Sequence, residues 1–296
     1  MKRKFSGTEK EFEIVKRLTC VKDDSRISVN EIGWTSRVYI VDNGKIVFKF
    51  PRNKKYRQEC KQEVAVLELL KKYNFHVATP FLNWTTKDNA YFGFYGVEGK
   101  PLKDVIQTLS EEQKIDIGTQ LGIFLKQLHG ITDYGEIKSQ TLSEQAEEYL
   151  QMYQKDQDLL KAFFDKAELR IIDDFFIHEV PKCMEGSGEL VFCHGDLDYN
   201  NTLVNESNQV GVIDFGDAKL YDRSQDFRGM EDETLRDAMI KAYGGGELIS
   251  KVAAEATSKM IDVLNLLYCI NNKDVKGQNE YVERIQVNLL GNLCQR

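Results

Sequence analysis

Hydrophobic and polar positions follow two different periods along the chain. In the first part they alternate with a period of two, as in half-buried β-strands. Strands are predicted over residues 27–30, 38–41, 46–50, 81–85 and 90–95. The turn Asp42-Asn43-Gly44 joins two of them, and Asn-Gly between apolar runs is a strong hairpin signal. Helical spacing occurs over 9–18 and 58–73, so the pattern predicts a five-stranded antiparallel sheet with one inserted helix.

From Pro101 onward the apolar positions recur with helical spacing. Further helices are predicted over residues 111–129, 143–163, 167–180, 231–243, 246–271 and 278–290. The chain has no internal repeat and no low-complexity linker, and the change of character near residues 97–101 is the one plausible boundary. We therefore expect an α+β protein with a sheet domain over 1–97 and a larger, mainly helical domain over 98–296.

The stretch from Cys193 to Gly216, C-H-G-D-L-D-Y-N-N-T-L-V-N-E-S-N-Q-V-G-V-I-D-F-G, departs from the helical pattern. Two short apolar runs on either side of a polar turn predict a β-hairpin. Such a hairpin brings two residues distant in sequence, Asn201 and Asp214, to its open end, where they can share a metal ion. A carboxylate, an amide and a second carboxylate at these spacings are the groups that metal-dependent phosphoryl transfer requires. A single Asp or Asn in a loop is most often a turn former or a helix cap, but the full pattern is far more specific.

Lys49 lies within the apolar run Ile46-Val47-Phe48-Lys49-Phe50, where a charge requires a counter-charge. In kinase folds a strand lysine of this kind contacts the α and β phosphates and pairs with a glutamate on the following helix. Glu63, fourteen residues further on, is the expected partner, and Glu59, one turn earlier, is the alternative. Lys49 could also be an outward-facing lysine on an edge strand, but the catalytic pattern argues against this.

These motifs resemble one known family. H-G-D-x-x-x-x-N followed by I-D-F-G-D-A is similar to the aminoglycoside phosphotransferases, small-molecule kinases with the bilobal protein-kinase fold. The resemblance implies that Asp196 is the catalytic base, that Asn201 and Asp214 bind Mg²⁺, and that ATP or GTP is the phosphoryl donor. Gly195 stands where protein kinases have the arginine of H-R-D, and no A-P-E segment follows, which argues against a protein kinase.

The nucleotide-binding elements of that family also have counterparts here. Residues 31–38 take the position of the phosphate-covering loop, with one glycine, and Ser36 is the side chain expected to reach the phosphates. Residues 94–102 resemble the family's hinge, where backbone groups near Tyr95 and Val97 would bind a purine. Because backbone atoms would bind the base, the choice between ATP and GTP stays open. No Walker A pattern is present, which excludes a P-loop enzyme.

The residues that bind the acceptor are predicted mainly from the acidic residues that follow the catalytic loop. Asp226-Phe227 followed by an acidic cluster is similar to the 2″-phosphotransferase branch, although that branch often has histidine at the position of Asn201. We expect Asp226 to hold the catalytic loop. An aminoglycoside carries several ammonium groups, so its pocket needs carboxylates, and the candidates are Asp198, Glu231, Asp232 and Glu233. The alternative for the last three is a helix N-terminus, where the helix dipole favours acidic residues.

Charge is distributed unevenly along the chain. Residues 1–97 carry 19 Lys and Arg against 11 Asp and Glu, a net +8, and the remainder carries 21 against 36, a net −15, which gives −7 in all. A basic first part suits nucleotide phosphates and an acidic second part suits a small cationic substrate, although either charge also keeps a surface solvated. No basic stripe with interleaved aromatic residues is present, so nucleic acid is not an expected partner.

Composition limits the other classes of protein. Six cysteines without paired spacing and only four histidines argue against a zinc site and fit reduced thiols in the cytoplasm. We find no secretion signal and no apolar run long enough to cross a bilayer, so a soluble, cytoplasmic protein without a membrane partner is expected. We also expect a monomer.

Two other functions stay open. A kinase of choline, homoserine, an amino sugar or a macrolide would share the fold and the catalytic loop, and the acidic second part argues against the macrolide. A nucleotide-binding pseudokinase would usually lack one of the four residues Lys49, Asp196, Asn201 and Asp214, all of which are present.

Overall fold

The computed structural model describes residues 8–31, 35–88, 90–135, 137, 141–185 and 190–291. The strands of the first part are β1 (Ile27–Asn30), β2 (Ser36–Val41), β3 (Ile46–Pro51), β4 (Phe81–Thr85) and β5 (Phe92–Tyr95). They form one antiparallel sheet in the order β1-β2-β3-β5-β4. Helix α1 (Glu9–Thr19) precedes the sheet, and helix α2 (Arg57–Leu70) lies between β3 and β4. The predicted five-stranded sheet with its inserted helix is confirmed.

The two faces of this sheet are covered by different helices. On one face Phe12 and Val15 of α1 pack with Tyr39 and Phe48. On the other face α2 joins the sheet in a second cluster of buried residues, which includes Val66, Leu67, Leu70, Leu82, Phe92 and Phe94. Each of these large side chains gains about 1.5–3 kcal/mol from burial, and this burial fixes which face each strand residue occupies.

The second part of the chain is mainly helical. Its helices are α3 (Leu102–Val105), α4 (Glu111–His129), α5 (Leu142–Asp156), α6 (Lys166–Asp174), α7 (Val180–Glu185), α8 (Glu233–Tyr243), α9 (Lys251–Asn271) and α10 (Val275–Ile285). Helices α4 and α8 lie in close contact because Gly118 and Gly122 face α8. A Cβ atom at either position would overlap the backbone oxygen of Leu235 or Met239.

The predicted helices are present, with differences at their ends. The helix predicted over 246–271 begins only at Lys251, because Gly244 and Gly245 have positive φ angles and the side chain of Ser250 caps the helix by accepting from Ala253 N. The helix predicted over 143–163 ends at Asp156 and continues as a 3₁₀ turn. The spacing of apolar residues does not determine where a helix ends to within one or two residues.

Short strands in the second part build the predicted hairpin. Strands β6 (Lys100–Pro101), β8 (Thr202–Val204) and β9 (Val210–Val212) form a small antiparallel sheet, and β7 (Leu190–Cys193) pairs with β10 (Lys219–Asp222). The segment after α2 is attached to this hairpin, since Ala78 N donates to Val210 O (3.1 Å) and Val212 N donates to Ala78 O (2.9 Å). These hydrogen bonds fix the hairpin against the N-terminal part.

Two hydrophobic cores support the second part. One continues from α2 and β5 to β9, α4 and α8, and the other is formed by helices α5, α6, α7, α9 and α10 with their extensions. The first core crosses from the sheet to the helices, so the boundary at residues 97 and 98 stays a prediction. Among the described residues, no helix combines the length and the apolar character that crossing a membrane requires.

Candidate active site

The β8–β9 hairpin brings the three residues of the catalytic pattern to one place. Asn201 directly precedes β8 and Asp214 lies two residues after β9. The backbone oxygen of Asn201 accepts a hydrogen bond from Ile213 N (3.0 Å), which joins the two strands at this end. The Asn201 amide nitrogen donates to the backbone oxygen of Asp196 (2.8 Å) and to its Oδ2 (3.0 Å). A carboxylate, an amide and a second carboxylate therefore meet at the open end of the hairpin.

Lys49 connects this hairpin to the sheet. It lies opposite Phe92 in the β3–β5 pairing, which turns its side chain to the face covered by α2. Its Nζ donates to Glu63 Oε1 (2.7 Å) and to Asp214 Oδ1 (2.8 Å). Strand β3 is an inner strand and the Lys49 side chain is only 11% exposed, so it is not an outward-facing edge lysine. The ion-pair partner on α2 is Glu63 and not Glu59.

The three charges affect one another strongly. Burial raises the pKa of Glu63 to about 7, and Lys49 opposes this rise. The Lys49 ammonium holds the pKa of Asp214 below its usual range. Burial disfavours the charged lysine, but Asp214 and Glu63 together raise the pKa of Lys49. A charged Lys49 beside an ionised Asp214 is suited to binding phosphates and a divalent cation.

Asp196 is held by both of its carboxylate oxygens. Asn201 donates to Oδ2, and Arg228 Nη2 donates to Oδ1 (3.2 Å). Enclosure by the protein raises the pKa of Asp196 to about 6, with Arg228 opposing the rise and Asp198 and Asp217 adding to it. The side chain still keeps 44% exposure, so a substrate can reach it. A fixed carboxylate with a raised pKa is suited to accepting a proton from a hydroxyl.

Asp226 supports the catalytic loop from behind, as the sequence predicts. It is fully buried and accepts hydrogen bonds from His194 N and Gly195 N, both at 2.8 Å. His129 Nε2 lies 3.0 Å from the same carboxylate. Burial alone would raise the pKa of Asp226, but His129 and the backbone N–H groups hold it below its usual range. The turn before Asp196 is thus fixed by one buried charge.

The backbone of this loop explains the glycine of H-G-D. Gly195 has a φ of +87°, in the left-handed region, and a Cβ atom there would overlap the backbone oxygen of Asp217. His194 fixes the loop on the other side. Because Asp196 N donates to His194 Nδ1 (3.3 Å), the proton is on Nε2, which donates to Ile213 O (2.9 Å). His194 therefore ties the catalytic loop to the strand that leads to Asp214.

Sequence reasoning gives no role to three residues of this site, His129, His194 and Arg228. The signal for His194 is its place as the first letter of the motif. The contact of His129 with Asp226 depends on how α4 packs, which no local pattern reveals. Arg228 carries no signal in the sequence, although its guanidinium lies 3.2 Å from the Asp196 carboxylate.

A cluster of His129, Cys193 and Asp226 lies behind the loop, with possible ligand atoms within 4.8 Å of one another. These atoms already have hydrogen-bond partners. Cys193 Sγ contacts Tyr221 O (3.9 Å), and His129 Nδ1 lies 2.9 Å from the hydroxyl of Tyr243. Burial raises the pKa of the Cys193 thiol well above its usual range, so the sulfur stays protonated. We assign the cluster to support of the loop.

The other residues predicted to contact the nucleotide lie in different parts of the structure. Residues 32–34 of the phosphate-covering loop lie outside the described residues. Ser36 is buried, and its hydroxyl lies 3.7 Å from Cys60 Sγ on α2. Tyr95 ends β5 with an exposed ring, and Val97 packs on Gly211 of β9 so closely that a Cβ atom at Gly211 would overlap it. The contacts of Ser36, Tyr95 and Val97 with a nucleotide stay predictions.

The predicted acceptor-side acids mostly have partners within the protein. Asp198 accepts from the backbone of Asn201 (2.9 Å) and holds the turn of the catalytic loop. Asp232 caps α8 and pairs with Lys114 (2.8 Å). Glu231 lies 3.4 Å from a guanidinium nitrogen of Arg284, and Glu233 is an exposed residue of the first turn of α8. Their contacts with an acceptor stay predictions.

The residues at the end of the hairpin fit the Mg²⁺ that the resemblance implies. The Asn201 nitrogen donates to Asp196, so its amide oxygen is the atom that can accept a cation. The Asp214 side chain is 51% exposed, and its lowered pKa keeps the carboxylate ionised. Carboxylate and amide oxygens are hard ligands of the kind that Mg²⁺ prefers. Asn201 and Asp214 would therefore hold the ion.

Comparison with known proteins agrees with this geometry. Residues 26–253 match the family described as APH, phosphotransferase enzyme family. The gentamicin complex of APH(2")-IIa is 18% identical, with 95% of this chain and 96% of that chain covered and a TM-score of 0.76. The GDP and kanamycin complex of APH(2")-IIIa is 19% identical, covers 96% and 100% of the two chains and has a TM-score of 0.78.

A third solved structure belongs to a protein with a different named substrate. Macrolide 2'-phosphotransferase MphH from Brachybacterium faecium is 18% identical, with 93% of this chain and 97% of that chain covered and a TM-score of 0.64. No curated protein matches the chain at the level of sequence. At these identities the solved structures show the bilobal kinase-like fold, and the family match covers more than half of the chain. The chain therefore belongs to the APH phosphotransferase enzyme family, as its motifs predict.

Proposed function

We propose that the protein is a small-molecule kinase that transfers the γ-phosphoryl group of a Mg-nucleotide to a hydroxyl of an aminoglycoside-like, polycationic acceptor. The observation that carries this proposal is the placement of Lys49, Asp214, Asn201 and Asp196 at one site. Lys49 contacts Asp214, the neighbouring Ile213 N donates to Asn201 O, and Asn201 donates to Asp196. The site thus has a lysine for the phosphates, two oxygen ligands for a cation and a carboxylate base. A pseudokinase would not be expected to keep all four.

On the donor side the protein binds and orients the nucleotide. Lys49, fixed by Glu63, would place its ammonium against the α and β phosphates. Asn201 and Asp214 would hold Mg²⁺, whose charge would neutralise part of the phosphate charge. The hinge near Tyr95 and Val97 would bind the base through its backbone, so ATP and GTP are both candidate donors.

On the acceptor side Asp196 orients the reacting hydroxyl. The hydroxyl oxygen forms a bond to the γ-phosphorus while the bond from that phosphorus to the β–γ bridging oxygen breaks. The hydroxyl proton passes to the Asp196 carboxylate, and the products are a phosphorylated acceptor and a nucleoside diphosphate. Asn201 and Arg228 hold the carboxylate during this step.

A second candidate acceptor is a smaller cation or alcohol such as choline, homoserine or an amino sugar. The observation that favours it is the internal pairing of the acceptor-side acids. Asp198 accepts a hydrogen bond within its own turn. Asp232 pairs with Lys114, and Glu231 lies next to Arg284. Fewer carboxylates are then available to a polycation than the sequence suggests.

The test is phosphoryl transfer measured with ATP and GTP separately, against a panel of aminoglycosides, choline, homoserine and amino sugars. Turnover that depends on an aminoglycoside supports the proposal, and turnover with only a smaller acceptor supports the second candidate. Tight Mg-nucleotide binding without transfer to any acceptor would support a pseudokinase. Failure to bind either nucleotide would contradict the kinase function altogether.

A further inference from the structure

Arg228 is a cation in direct contact with the catalytic carboxylate. It directly follows the 3₁₀ turn Arg223–Phe227, and its side chain is only 12% exposed. Nη2 donates to Asp196 Oδ1 (3.2 Å) and to the backbone oxygen of Gly195 (3.3 Å). One guanidinium nitrogen thus holds both the side chain and the preceding peptide of the catalytic residue.

The same turn holds the catalytic loop with two further side chains. Gln225 Nε2 donates to Gly195 O (2.9 Å), and Asp226 accepts from the two backbone N–H groups before Asp196. These two residues fix the backbone of the loop. Among the three, only Arg228 reaches the carboxylate, and Gln225 also donates to the Gly195 oxygen that Arg228 contacts, so the backbone keeps a donor when Arg228 is replaced.

Arg228 and Asn201 together determine the orientation of the Asp196 carboxylate. Asn201 donates to Oδ2 and Arg228 to Oδ1, so rotation about the last side-chain bond would break one or both contacts. Without Arg228 the carboxylate would keep a single neutral donor, and rotation would become easier. Small errors in the placement of a reacting group cost large factors in rate.

Asp262 of α9 is a second acidic group that Arg228 affects, but only weakly. Asp262 is 4% exposed, burial raises its pKa, and Arg284 and, to a smaller degree, Arg228 oppose this rise. The hydrogen bond to Asp262 Oδ1 comes from Arg284 Nε (2.9 Å). Among the described residues, the carboxylate that Arg228 contacts directly is therefore that of Asp196.

We propose that Arg228 is a positioning residue, which fixes the carboxylate of Asp196 for the acceptor hydroxyl. This inference rests on the proposed kinase function. It assigns to Arg228 an effect on turnover that acts through Asp196 and leaves nucleotide binding unchanged, because within the described residues Arg228 forms no hydrogen bond or ion pair with Lys49 or Asp214.

The test is a double-mutant cycle between Arg228→Met and Asp196→Asn, measured in the full-length protein with its best acceptor. Loss of one charge-assisted hydrogen bond predicts that kcat of R228M falls about 10- to 100-fold. The KM for the nucleotide should stay within about twofold of wild type. In the D196N background R228M should lower the residual kcat by less than about threefold, since the carboxylate on which it acts is gone.

Two further variants sharpen this experiment. Arg228→Lys keeps the positive charge and should recover part of the kcat that R228M loses. Arg223→Met removes a guanidinium from the same turn, one that contacts the hydroxyl of Tyr243, and it should retain near wild-type kcat. Thermal unfolding of every variant separates loss of turnover from loss of fold.

Several outcomes would overturn the inference. The first is a kcat of R228M equal to that of wild type. The second is an equal loss of kcat on adding R228M to the wild-type and D196N backgrounds, because this would indicate a general structural role for Arg228. If R228M does not fold, R228K enters the same cycle, where coupling to D196N supports the inference and additivity overturns it. A wild type that transfers phosphate to no acceptor would overturn the proposed function and this inference together.

Discussion

The donor side and the acceptor side of the candidate site are built differently. On the donor side, Lys49 comes from a strand and Glu63 from a helix, and both are buried. Lys49 Nζ lies 2.7 Å from Glu63 Oε1 and 2.8 Å from Asp214 Oδ1. On the acceptor side, the acidic candidates come from a loop and a helix N-terminus. Glu231 has a side chain that is 68% exposed, and Asp232 already pairs with Lys114.

This difference indicates which residues of the site are costly to replace and which can vary in sequence. A buried ion pair is costly to change, since loss of one partner leaves an uncompensated charge. Exposed carboxylates near a helix N-terminus contribute little to stability and can be replaced without harm to the fold. We infer that the donor side determines the reaction and that the acceptor side determines the substrate.

The largest effect is expected from replacing Asp196, where the two sides meet. Because a positioned general base contributes about 10²- to 10⁴-fold to rate, D196A and D196N should lower kcat by that factor. Nucleotide affinity should change little, since within the described residues Asp196 forms no hydrogen bond with Lys49 or Asp214 and contacts Asn201 through the amide nitrogen, not the oxygen proposed as a metal ligand. Steady-state kinetics with nucleotide binding measured separately would check both statements.

The matched control is Glu206→Gln, which changes an exposed acid at the tip of the same hairpin. It should leave kcat and nucleotide affinity at wild-type values. If D196N retained wild-type turnover, the assignment of the base would be wrong. If it lost nucleotide binding to the same degree as turnover, the residue would be part of the donor side instead.

Replacing Lys49 on the donor side is expected to have the next largest effect. In K49M the buried Glu63 loses its counter-charge, and such a change typically costs about 3–5 kcal/mol of unfolding free energy when the remaining partner stays charged. The KM for the nucleotide should rise at the same time, because the proposed contact of Lys49 with the phosphates would be lost. Chemical denaturation and kinetics of the same preparations measure the two losses.

The double variant K49M/E63Q separates these losses. Removing the Glu63 charge should restore most of the stability that K49M loses, while activity should stay low. If activity returned with stability, Lys49 would have only a structural role, and the comparison between the two sides would fail.

The pH dependence of stability offers a smaller effect on the donor side. The folded-state pKa of Glu63 is raised to about 7 from its usual value of 4.5, so the folded protein binds this proton more tightly than the unfolded chain does. The resulting stabilisation is present below about pH 4.5 and is lost as pH rises through about 7. Compared with E63Q, wild type should therefore lose about 1–3 kcal/mol of unfolding free energy between pH 5 and 8. Equal slopes for the two proteins would contradict the shifted pKa.

The donor side is also the part that sequence patterns predict best. Lys49 stands out as a charge within an apolar strand, and Glu63, on the helix that follows, is the partner expected from the sequence and present in the structure. Asn201 and Asp214 flank a hairpin whose two strands are evident from their apolar runs. In each case regular secondary structure converts spacing in the sequence into position in space.

The remaining parts of the site depend on tertiary contacts that spacing does not encode. Arg228 reaches Asp196 from a 3₁₀ turn, and His129 reaches Asp226 because α4 packs behind the loop. Ser36 has the right residue type for a phosphate contact, but in the structure its hydroxyl faces Cys60. Loops and turns have no fixed period, so the direction of a side chain there follows from packing and not from sequence spacing.

The smallest expected effects lie on the acceptor side, and they give the sharpest test of the comparison. Asp232 and Glu233 are neighbours at the start of α8, but Asp232 caps the helix and pairs with Lys114, whereas Glu233 is exposed. E233Q should raise the KM for a polycationic acceptor about two- to fivefold, the value of one exposed ion pair, and leave the nucleotide KM unchanged.

D232N should leave the acceptor KM close to wild type, because Asn caps a helix as well as Asp and the lost charge was already neutralised by Lys114. D232A should instead lower the unfolding free energy by about 0.5–2 kcal/mol through loss of the cap. Acceptor kinetics and chemical denaturation of the three variants distinguish these effects. If D232N raised the acceptor KM more than E233Q did, we would conclude that the ion pair between Asp232 and Lys114 breaks when the acceptor binds. The contacts within the free protein would then not indicate which acids bind the acceptor.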